Sequence, residues 1–143
     1  MTVVAWDGKT LAADRLSNGG GTCYTMTKVA RLRGHLVGGA GCAADVRSYM
    51  RWFDEGAHPA DFPAVARAGN ITLLVITPAG KVLSFESGPE PLEMEGDYYA
   101  IGSGGDFALA AMHLGHDAVT AVKTANFLST TCGRGWDTLT LED

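Results

Sequence analysis

The sequence predicts an α+β protein in which antiparallel sheets lie between layers of helices. Two observations support this fold class. Short β-rich segments occur in two groups, with helical periodicity between and after them. Glycine supplies 19 of 143 residues and separates short apolar segments, which is typical of many tight turns between short strands. Strands joined by tight turns pair antiparallel, and helices cover the sheet faces. The length corresponds to one domain, residues 1–143.

Four strands are predicted before the first helix, over Val3–Trp6, Thr10–Ala13, Lys28–Leu32 and Leu36–Ala40. The first pair flanks Asp7-Gly8, a dipeptide that favours a type I′ hairpin turn. The second pair turns at Arg33-Gly34. Between the two pairs, the sequence predicts a glycine-rich loop over Ser17–Gly21.

A first helix is predicted from Ala43, because apolar residues recur there at helical spacing. The apolar stripe consists of Val46, Tyr49, Met50 and Phe53. Gly56 is a suitable C-cap, and Ala57–Gly69 is expected to be a loop or at most a short helix. The second group of strands is predicted over Ile71–Ile76, Lys81–Glu86 and Tyr98–Ile101, with a connection over Gly88–Gly96.

Two helices and a strand are predicted at the end of the chain. The stripe of the first helix is Phe107, Ala110, Ala111 and Leu114. Asp117 is positioned to cap the second, whose stripe is Ala118, Ala121, Val122, Ala125 and Leu128. The final strand is predicted over Trp136–Leu141.

Composition and charge exclude several classes of function. The net charge of -5 and the lack of a Lys/Arg run argue against a nucleic-acid binder that works by bulk charge. No apolar run approaches the ~20 residues of a membrane-spanning helix, and the N-terminus does not resemble a secretory signal. Three cysteines without CxxC spacing are typical of free thiols in a reducing compartment, so we expect a cytoplasmic protein.

Thr2 is a candidate nucleophile once Met1 is removed, which the small Thr2 side chain permits. The hydroxyl then lies beside a free α-amine of pKa roughly 7.7–8.0, which can accept the hydroxyl proton. One residue would then supply both nucleophile and base. The alternative is that Thr2 is only a strand former at the start of the chain.

Three further residues are suited to assist such a nucleophile. Asp14 stands where the first hairpin gives way to a loop, and Lys28 opens an apolar strand. A cation near Thr2 keeps the α-amine neutral at pH 7 and favours a developing alkoxide, while Asp14 holds the lysine and balances its charge. Gly41 lies where a strand joins a helix, and a backbone N–H there suits an oxyanion. Taken singly, these are also ordinary surface charges and an ordinary turn.

Together, and in this order, five pieces of the sequence resemble a proteasome-type β-subunit: Thr2, Leu11–Arg15, Thr27–Val29, Gly39–Asp45 and Ile101–Gly104. The resemblance spans nearly the whole chain. It is nearest in style to small bacterial relatives, namely HslV-type peptidases and bacterial or phage-borne proteasome homologues. It implies the αββα four-layer sandwich of the N-terminal-nucleophile (Ntn) hydrolases.

The resemblance also implies a threonine-type endopeptidase and a role for each matching residue. Thr2 matches the nucleophile, with its own amine as the base. Asp14 and Lys28 match the acidic and basic residues that tune it, and Gly41 matches the oxyanion donor. Ser103 matches the serine that hydrogen-bonds the N-terminal amine. Attack by Thr2 gives an acyl-enzyme ester that water hydrolyses.

The chain departs from the proteasome pattern after its last helix. Where proteasomes have an Asp and a Ser that complete the site, this sequence has Ser129 and Cys132. That stretch is nearer to the HslV arrangement, in which backbone carbonyls hold a monovalent or hard cation. The implied ligands are carbonyls of Ser129, Cys132 and Gly135. An ordinary glycine-rich turn is the alternative, and no cofactor is required.

The implied assembly is a homo-oligomeric ring that encloses its sites and cleaves peptides or unfolded proteins. A separate ATP-dependent unfoldase is the implied partner, because the chain has no ATP-binding motif. Peptide preference is expected to depend on a pocket near Ala12, Leu16, Met26 and Gly41. Two alternatives remain open. One is a catalytically inactive ring or scaffold protein, which a retained Met1 would favour. The other is an Ntn amidohydrolase that acts on a small amide without ring assembly.

Other residues are weaker candidates for function. His113 and His116 are spaced i, i+3 as a weak metal pair, and polar residues at a helix end are the favoured interpretation. Cys42, next to Gly41, is expected to line a pocket. Arg47 and Arg51 lie at i, i+4 on one helical face, and a solvated face is the default interpretation.

Overall fold

The computed structural model describes residues 1–64 and 70–142. Its strands are β1 (Val4–Trp6), β2 (Thr10–Asp14), β3 (Leu16–Gly19), β4 (Thr22–Thr25), β5 (Val29–Leu32), β6 (His35–Ala40), β7 (Thr72–Ile76), β8 (Val82–Phe85), β9 (Leu92–Met94), β10 (Tyr99–Ile101) and β11 (Trp136–Thr140). Its helices are α1 (Ala43–Asp54), α2 (Gly105–His113) and α3 (Ala118–Leu128), with a 3-10 turn over Pro59–Asp61.

Two antiparallel sheets form the centre of the structure. One has the strand order β10-β1-β2-β11 and the other β5-β6-β7-β8-β9. Successive side chains along a strand point to opposite faces of its sheet, so apolar residues of the same strand contribute to the cores on both faces. Val4 and Leu74 lie in the core between the sheets, whereas their neighbours Val3 and Leu73 lie in the outer cores.

Helices cover the outer faces of both sheets. Small residues of α2 and α3, such as Ala108 and Ala121, pack on the four-stranded sheet. Large aromatic residues of α1, including Tyr49 and Trp52, pack on the five-stranded sheet. The layers therefore follow the order helix, sheet, sheet, helix, which confirms the predicted α+β sandwich with antiparallel sheets.

A buried polar group on α1 shows how closely this layer is packed. The hydroxyl of Tyr49 donates a 2.7 Å hydrogen bond to the carbonyl of Glu86, just beyond β8. Burial raises the pKa of Tyr49, and the nearby carboxylate of Asp45 adds to the rise. No described helix combines the length and apolarity that crossing a membrane requires.

The two predicted hairpin turns differ in outcome. The turn at Arg33-Gly34 is confirmed, because both residues have positive φ, 51° and 75°, as type I′ requires. The prediction of a type I′ turn at Asp7-Gly8 is wrong. The turn is centred on Gly8 and Lys9, and of these residues only Gly8 has positive φ. The carboxylate of Asp7 instead accepts hydrogen bonds from the N–H groups of Lys9, Thr10 and Ala118, joining the hairpin to α3.

Two predicted loops contain strands. The segment Ser17–Gly21 belongs to the β3–β4 hairpin, which turns at Gly20-Gly21, and Gly88–Gly96 contains the edge strand β9. The strands β4 and β9 are largely exposed, so they lack the alternation of apolar and polar residues that marks a strand in a sequence. Of the predicted loop Ala57–Gly69, residues 65–69 lie outside the described residues, and the 3-10 turn occupies part of the remainder.

Candidate active site

The carboxylate of Asp14 is the centre of a buried polar cluster at the end of β2. It has no exposure to solvent. Its Oδ1 accepts hydrogen bonds from Thr2 Oγ1 at 2.9 Å, from Lys28 Nζ at 2.8 Å and from the N–H of Val3 at 3.1 Å. The structure therefore brings together the first three residues that the sequence singled out.

The other oxygen of Asp14 is bonded by backbone alone. Oδ2 accepts from the N–H of Leu16 at 3.2 Å and from the N–H of Gly133 at 3.1 Å. Five donors thus surround one buried carboxylate. A buried charge is tolerated when it is paired and fully hydrogen-bonded, and Asp14 meets both conditions.

Strand pairing places Asp14 against Thr2. The β1–β2 ladder ends with Val4 opposite Ala13, and it continues one residue further because the N–H of Asp14 donates to the carbonyl of Val3 at 3.2 Å. The carboxylate at the end of β2 is thereby directed at Thr2 and Val3, the two residues that precede β1. The pairing of the short strands β1 and β2 is therefore sufficient to position Asp14 beside Thr2.

Lys28 enters the cluster from the start of β5. Its side chain is 8% exposed, and it forms an ion pair with Asp14. Its Nζ also donates a 3.2 Å hydrogen bond to the carbonyl of Met1. Lys28 is therefore in contact with the peptide bond that joins Met1 to Thr2, while the Met1 residue itself is 59% exposed.

Ser103 approaches Thr2 from the turn between β10 and α2. The N–H of Thr2 donates to Ser103 Oγ at 3.1 Å. Ser103 Oγ also lies 2.8 Å from Thr131 Oγ1, which in turn lies 2.8 Å from Ser129 Oγ. A chain of hydroxyl groups therefore runs from the nitrogen of Thr2 to the end of α3.

Thr131 is a residue that sequence reasoning missed. It was noted only as part of the stretch 129–132, with no role of its own. The available signal was the run of three hydroxyl residues immediately after an α-helix, Ser129-Thr130-Thr131. Such a run does not indicate which hydroxyl faces the site, because loop side chains follow no regular period.

Glycines allow the turn after β10 to approach Thr2 closely. Gly102 has φ +95°, and a Cβ at this position would lie 2.2 Å from the carbonyl oxygen of Thr2. That carbonyl accepts a 3.0 Å hydrogen bond from the N–H of Gly104. A side chain at residue 102 would therefore displace Thr2 from its position.

Gly41 lies between β6 and α1. It has φ +123°, and an added Cβ would come within 2.3 Å of the carbonyl oxygen of Asn70. Both the backbone conformation and the lack of space require glycine here. Gly41 and Thr2 line the same open cavity.

This cavity has a volume of about 630 Å³. Its walls come from the β3–β4 hairpin, β5 and α1, and they include Leu16, Met26 and Gly41, as the sequence predicted. The prediction for Ala12 is wrong. Ala12 does not line the cavity, because it is fully buried in the core between the four-stranded sheet and the helices.

The predicted cation ligands lie on the turn between α3 and β11. The carbonyl of Gly135 accepts a 3.0 Å hydrogen bond from Asn126 Nδ2. The thiol of Cys132 is buried in the core beside Gly104, so only its carbonyl could face a cation. Ser129, the third predicted ligand, contributes its hydroxyl to Thr131. These contacts do not test the cation, which stays a prediction.

The remaining candidates do not join the cluster. In residues 1–64 and 70–142, no three His, Cys, Asp or Glu side chains are grouped as a metal site. Nδ1 of His113 hydrogen-bonds the hydroxyl of Tyr98 at 3.1 Å. Cys42 lines the cavity beside Gly41, and Arg47 also lines it.

This chain is similar to known proteins in its structure, but its sequence matches none of those compared. No protein-family model and no curated protein matches this sequence. BPH from Thiobacillus denitrificans, solved in complex with epoxomicin, matches with a TM-score of 0.74 at 19% identity over 97% of both chains. HslV from Trypanosoma brucei matches with a TM-score of 0.71 at 23% identity, over 96% of this chain and 97% of that chain. The chain has the HslV fold.

A second solved structure of Thiobacillus BPH matches with a TM-score of 0.69 at 20% identity, covering 97% of this chain and 96% of that one. The likeness to HslV and BPH thus extends over nearly the full length of each protein. It establishes the four-layer HslV fold.

Proposed function

We propose that this chain is a threonine-type endopeptidase whose nucleophile is Thr2, after removal of Met1. The observation that carries the proposal is the shared contact at Asp14 Oδ1, where Thr2 Oγ1 and Lys28 Nζ meet beside an open cavity. The HslV fold supports it, as does the solved complex of the Thiobacillus neighbour with epoxomicin.

Removal of Met1 is the first step of the proposed mechanism. The nitrogen of Thr2 is an amide while Met1 is attached, and an amide nitrogen is not a base. Cleavage of the Met1–Thr2 bond converts it to an α-amine, whose pKa of roughly 7.7–8.0 suits proton transfer near neutral pH. Ser103 Oγ, 3.1 Å from this nitrogen, accepts one N–H and orients the amine.

In the attack, the amine takes the proton of Thr2 Oγ1 and the oxygen adds to the substrate carbonyl carbon. The positive charge of Lys28 stabilises the oxygen as it loses its proton, and Asp14 keeps the lysine in place. The N–H of Gly41 is the proposed donor to the oxyanion. The peptide C–N bond then breaks, and the proton passes from the Thr2 amine to the leaving amine.

Hydrolysis of the ester completes the cycle. A water molecule gives its proton to the Thr2 amine and its oxygen to the acyl carbon, and the ester C–O bond breaks. The proton returns to Thr2 Oγ1, so the residue is restored. No metal or organic cofactor takes part in these steps, and the cation near Ser129, Cys132 and Gly135 would act only on the position of the turn.

We propose further that the chain assembles as a homo-oligomeric ring, acts on unfolded proteins or peptides in the cytoplasm, and receives substrate from a separate ATP-dependent unfoldase. Four large apolar side chains of the α2–α3 layer support a subunit contact, because they are exposed: Phe107, Leu114, Phe127 and Leu128. The three cysteines form no disulfide, which suits a reducing compartment.

The test combines the intact mass of the protein purified from cells with labelling by epoxomicin. We expect a chain that lacks Met1, an epoxomicin adduct located on the peptide that begins with Thr2, and no adduct on Thr2→Ala. A retained Met1 together with no adduct would favour the inactive scaffold. Hydrolysis of small amides by a monomer would favour the amidohydrolase.

A further inference from the structure

The cavity beside Thr2 contains a charge that the proposed mechanism does not use. The side chains of Lys28 and Arg47 both line it, whereas no Asp or Glu from the described part of the chain does. Because Lys28 is paired with Asp14, the unpaired positive charge at the cavity is that of Arg47.

The position of Arg47 follows from the period of α1. Ala43, Arg47 and Met50 lie at i, i+4 and i+7, so they share one face of the helix, and all three line the cavity. Arg51, one turn further along, does not line it. Both arginines are exposed, as the solvated face predicts, and Arg47 in addition lines the cavity.

The two cations of the cavity differ in their partners. Lys28 is neutralised by Asp14 at 2.8 Å. Arg47 forms no ion pair and no side-chain hydrogen bond with residues 1–64 or 70–142. Asp45, the nearest carboxylate along α1, is two residues away, and residues at i, i+2 do not face each other on a helix. The guanidinium of Arg47 is thus available to a ligand.

We propose that Arg47 selects peptides in which an acidic residue donates the carbonyl that Thr2 attacks; this inference rests on the proposed peptidase function. A guanidinium is always charged, and its planar N–H groups match the two oxygens of a carboxylate. Val29 and Met50 also line the cavity, and they offer apolar surface to the methylene groups of a bound glutamate. A lysine in the same position is disfavoured, because its ammonium repels the guanidinium of Arg47.

Three peptides that differ only in the residue before the fluorogenic leaving group test the proposal: Glu, Leu and Lys. With the assembled protein, we expect kcat/KM for the Glu peptide to exceed that for the Lys peptide by about tenfold or more, as a charge-assisted hydrogen bond can provide. Arg47→Met should lower the Glu-to-Leu ratio by a similar factor. Arg47→Glu should reverse the order of the Glu and Lys peptides.

Arg51→Met is the matched control, and it should leave the Glu-to-Leu ratio unchanged. The proposal is overturned if Arg47→Met also leaves that ratio unchanged, or if Arg47→Met alters only the oligomeric state, which would assign Arg47 to a subunit contact. If epoxomicin labels Thr2 and the Leu peptide is hydrolysed, but the Glu peptide is not preferred, the specificity proposal is overturned and the peptidase function is retained. Absence of both turnover and labelling overturns the peptidase function and this proposal with it.

Discussion

The hydroxyl of Thr2 donates a 2.9 Å hydrogen bond to Oδ1 of Asp14, a carboxylate with no exposure to solvent. A threonine at a frayed chain end would have no such partner. The contact fixes the side chain of Thr2 beside Lys28 and at the wall of the cavity. Several consequences for activity and stability can be measured.

Thr2→Ala removes the proposed nucleophile without removing a large buried group. We expect peptide hydrolysis to fall by about a thousandfold or more, because no other residue supplies the attacking oxygen. Sedimentation should show an unchanged assembly. Thr22→Ala, on the exposed strand β4, is the control and should retain full activity. Retained activity in Thr2→Ala would contradict the mechanism.

Asp14→Asn leaves the ammonium of Lys28 nearly buried and without its counter-charge. We expect a loss of about 3–5 kcal/mol in the free energy of unfolding, measured by urea denaturation. Lys28→Met, added to Asp14→Asn, removes the unpaired charge. The double variant should therefore be less destabilised than the sum of the two single variants. Strict additivity would show that the two side chains are not coupled.

Ser103→Ala removes the group that contacts the nitrogen of Thr2. We expect kcat to fall by about ten- to a hundredfold with little change in KM, because orientation of the base matters most in the transition state. Thr131→Val removes the second hydroxyl of the chain but not the contact to Thr2, so its effect on kcat should be smaller. If Thr131→Val lowered kcat as much as Ser103→Ala or more, the hydroxyl of Ser103 would not be the group on which kcat mainly depends.

Gly41→Ala combines backbone strain with a direct clash. Alanine at φ +123° is strained, and its Cβ would lie 2.3 Å from the carbonyl oxygen of Asn70. We expect loss of peptide hydrolysis and a lower thermal unfolding midpoint. Gly80 also has positive φ, but an added Cβ there meets no atom within 4 Å. Gly80→Ala should cost only about 1 kcal/mol and retain activity, so it isolates the effect of the clash.

Asp117 caps α3 and gives stability that depends on pH. Its carboxylate accepts from the N–H of Thr120 at 2.8 Å; this backbone contact, helped by the Thr120 hydroxyl, lowers the pKa of Asp117. The cap is thus fully present above the unfolded pKa near 3.9 and is lost as pH falls through the lower folded value. Asp117→Ala should cost about 1 kcal/mol at pH 7 and progressively less below about pH 4.

Asp117→Asn provides the comparison for this prediction, since an asparagine caps without titrating. The difference in unfolding free energy between the alanine and asparagine variants should be independent of pH. A wild-type advantage over Asp117→Ala that persists undiminished in acid would show that the charge of the carboxylate is not its source.

The sequence predicted those parts of the molecule that depend on regular burial. Tyr49 and Phe53 mark α1 because they recur at helical spacing, and Leu73 to Ile76 mark a strand covered on both faces. The strands β4 and β9 were missed since most of their side chains face solvent and leave no apolar pattern.

The site was predictable only in part, for a related reason. Thr2, Asp14 and Lys28 are separated by up to 26 positions, and no local pattern connects them. Only the resemblance of the sequence to proteasome-type β-subunits indicated that they belong to one site. Thr131 and the cavity-facing position of Arg47 were missed. Their roles depend on the direction of single side chains in the folded molecule, which periodicity does not determine.

The donors around Asp14 come from residues 2, 3, 16, 28 and 133, so they span almost the entire chain. Contacts between such distant segments form only when the N-terminal and C-terminal parts have come together. A nascent chain that has not yet emerged as far as residue 133 lacks one of the five donors. The cluster therefore cannot be completed before residue 133 has emerged, and a chain truncated before that residue carries an unfinished site.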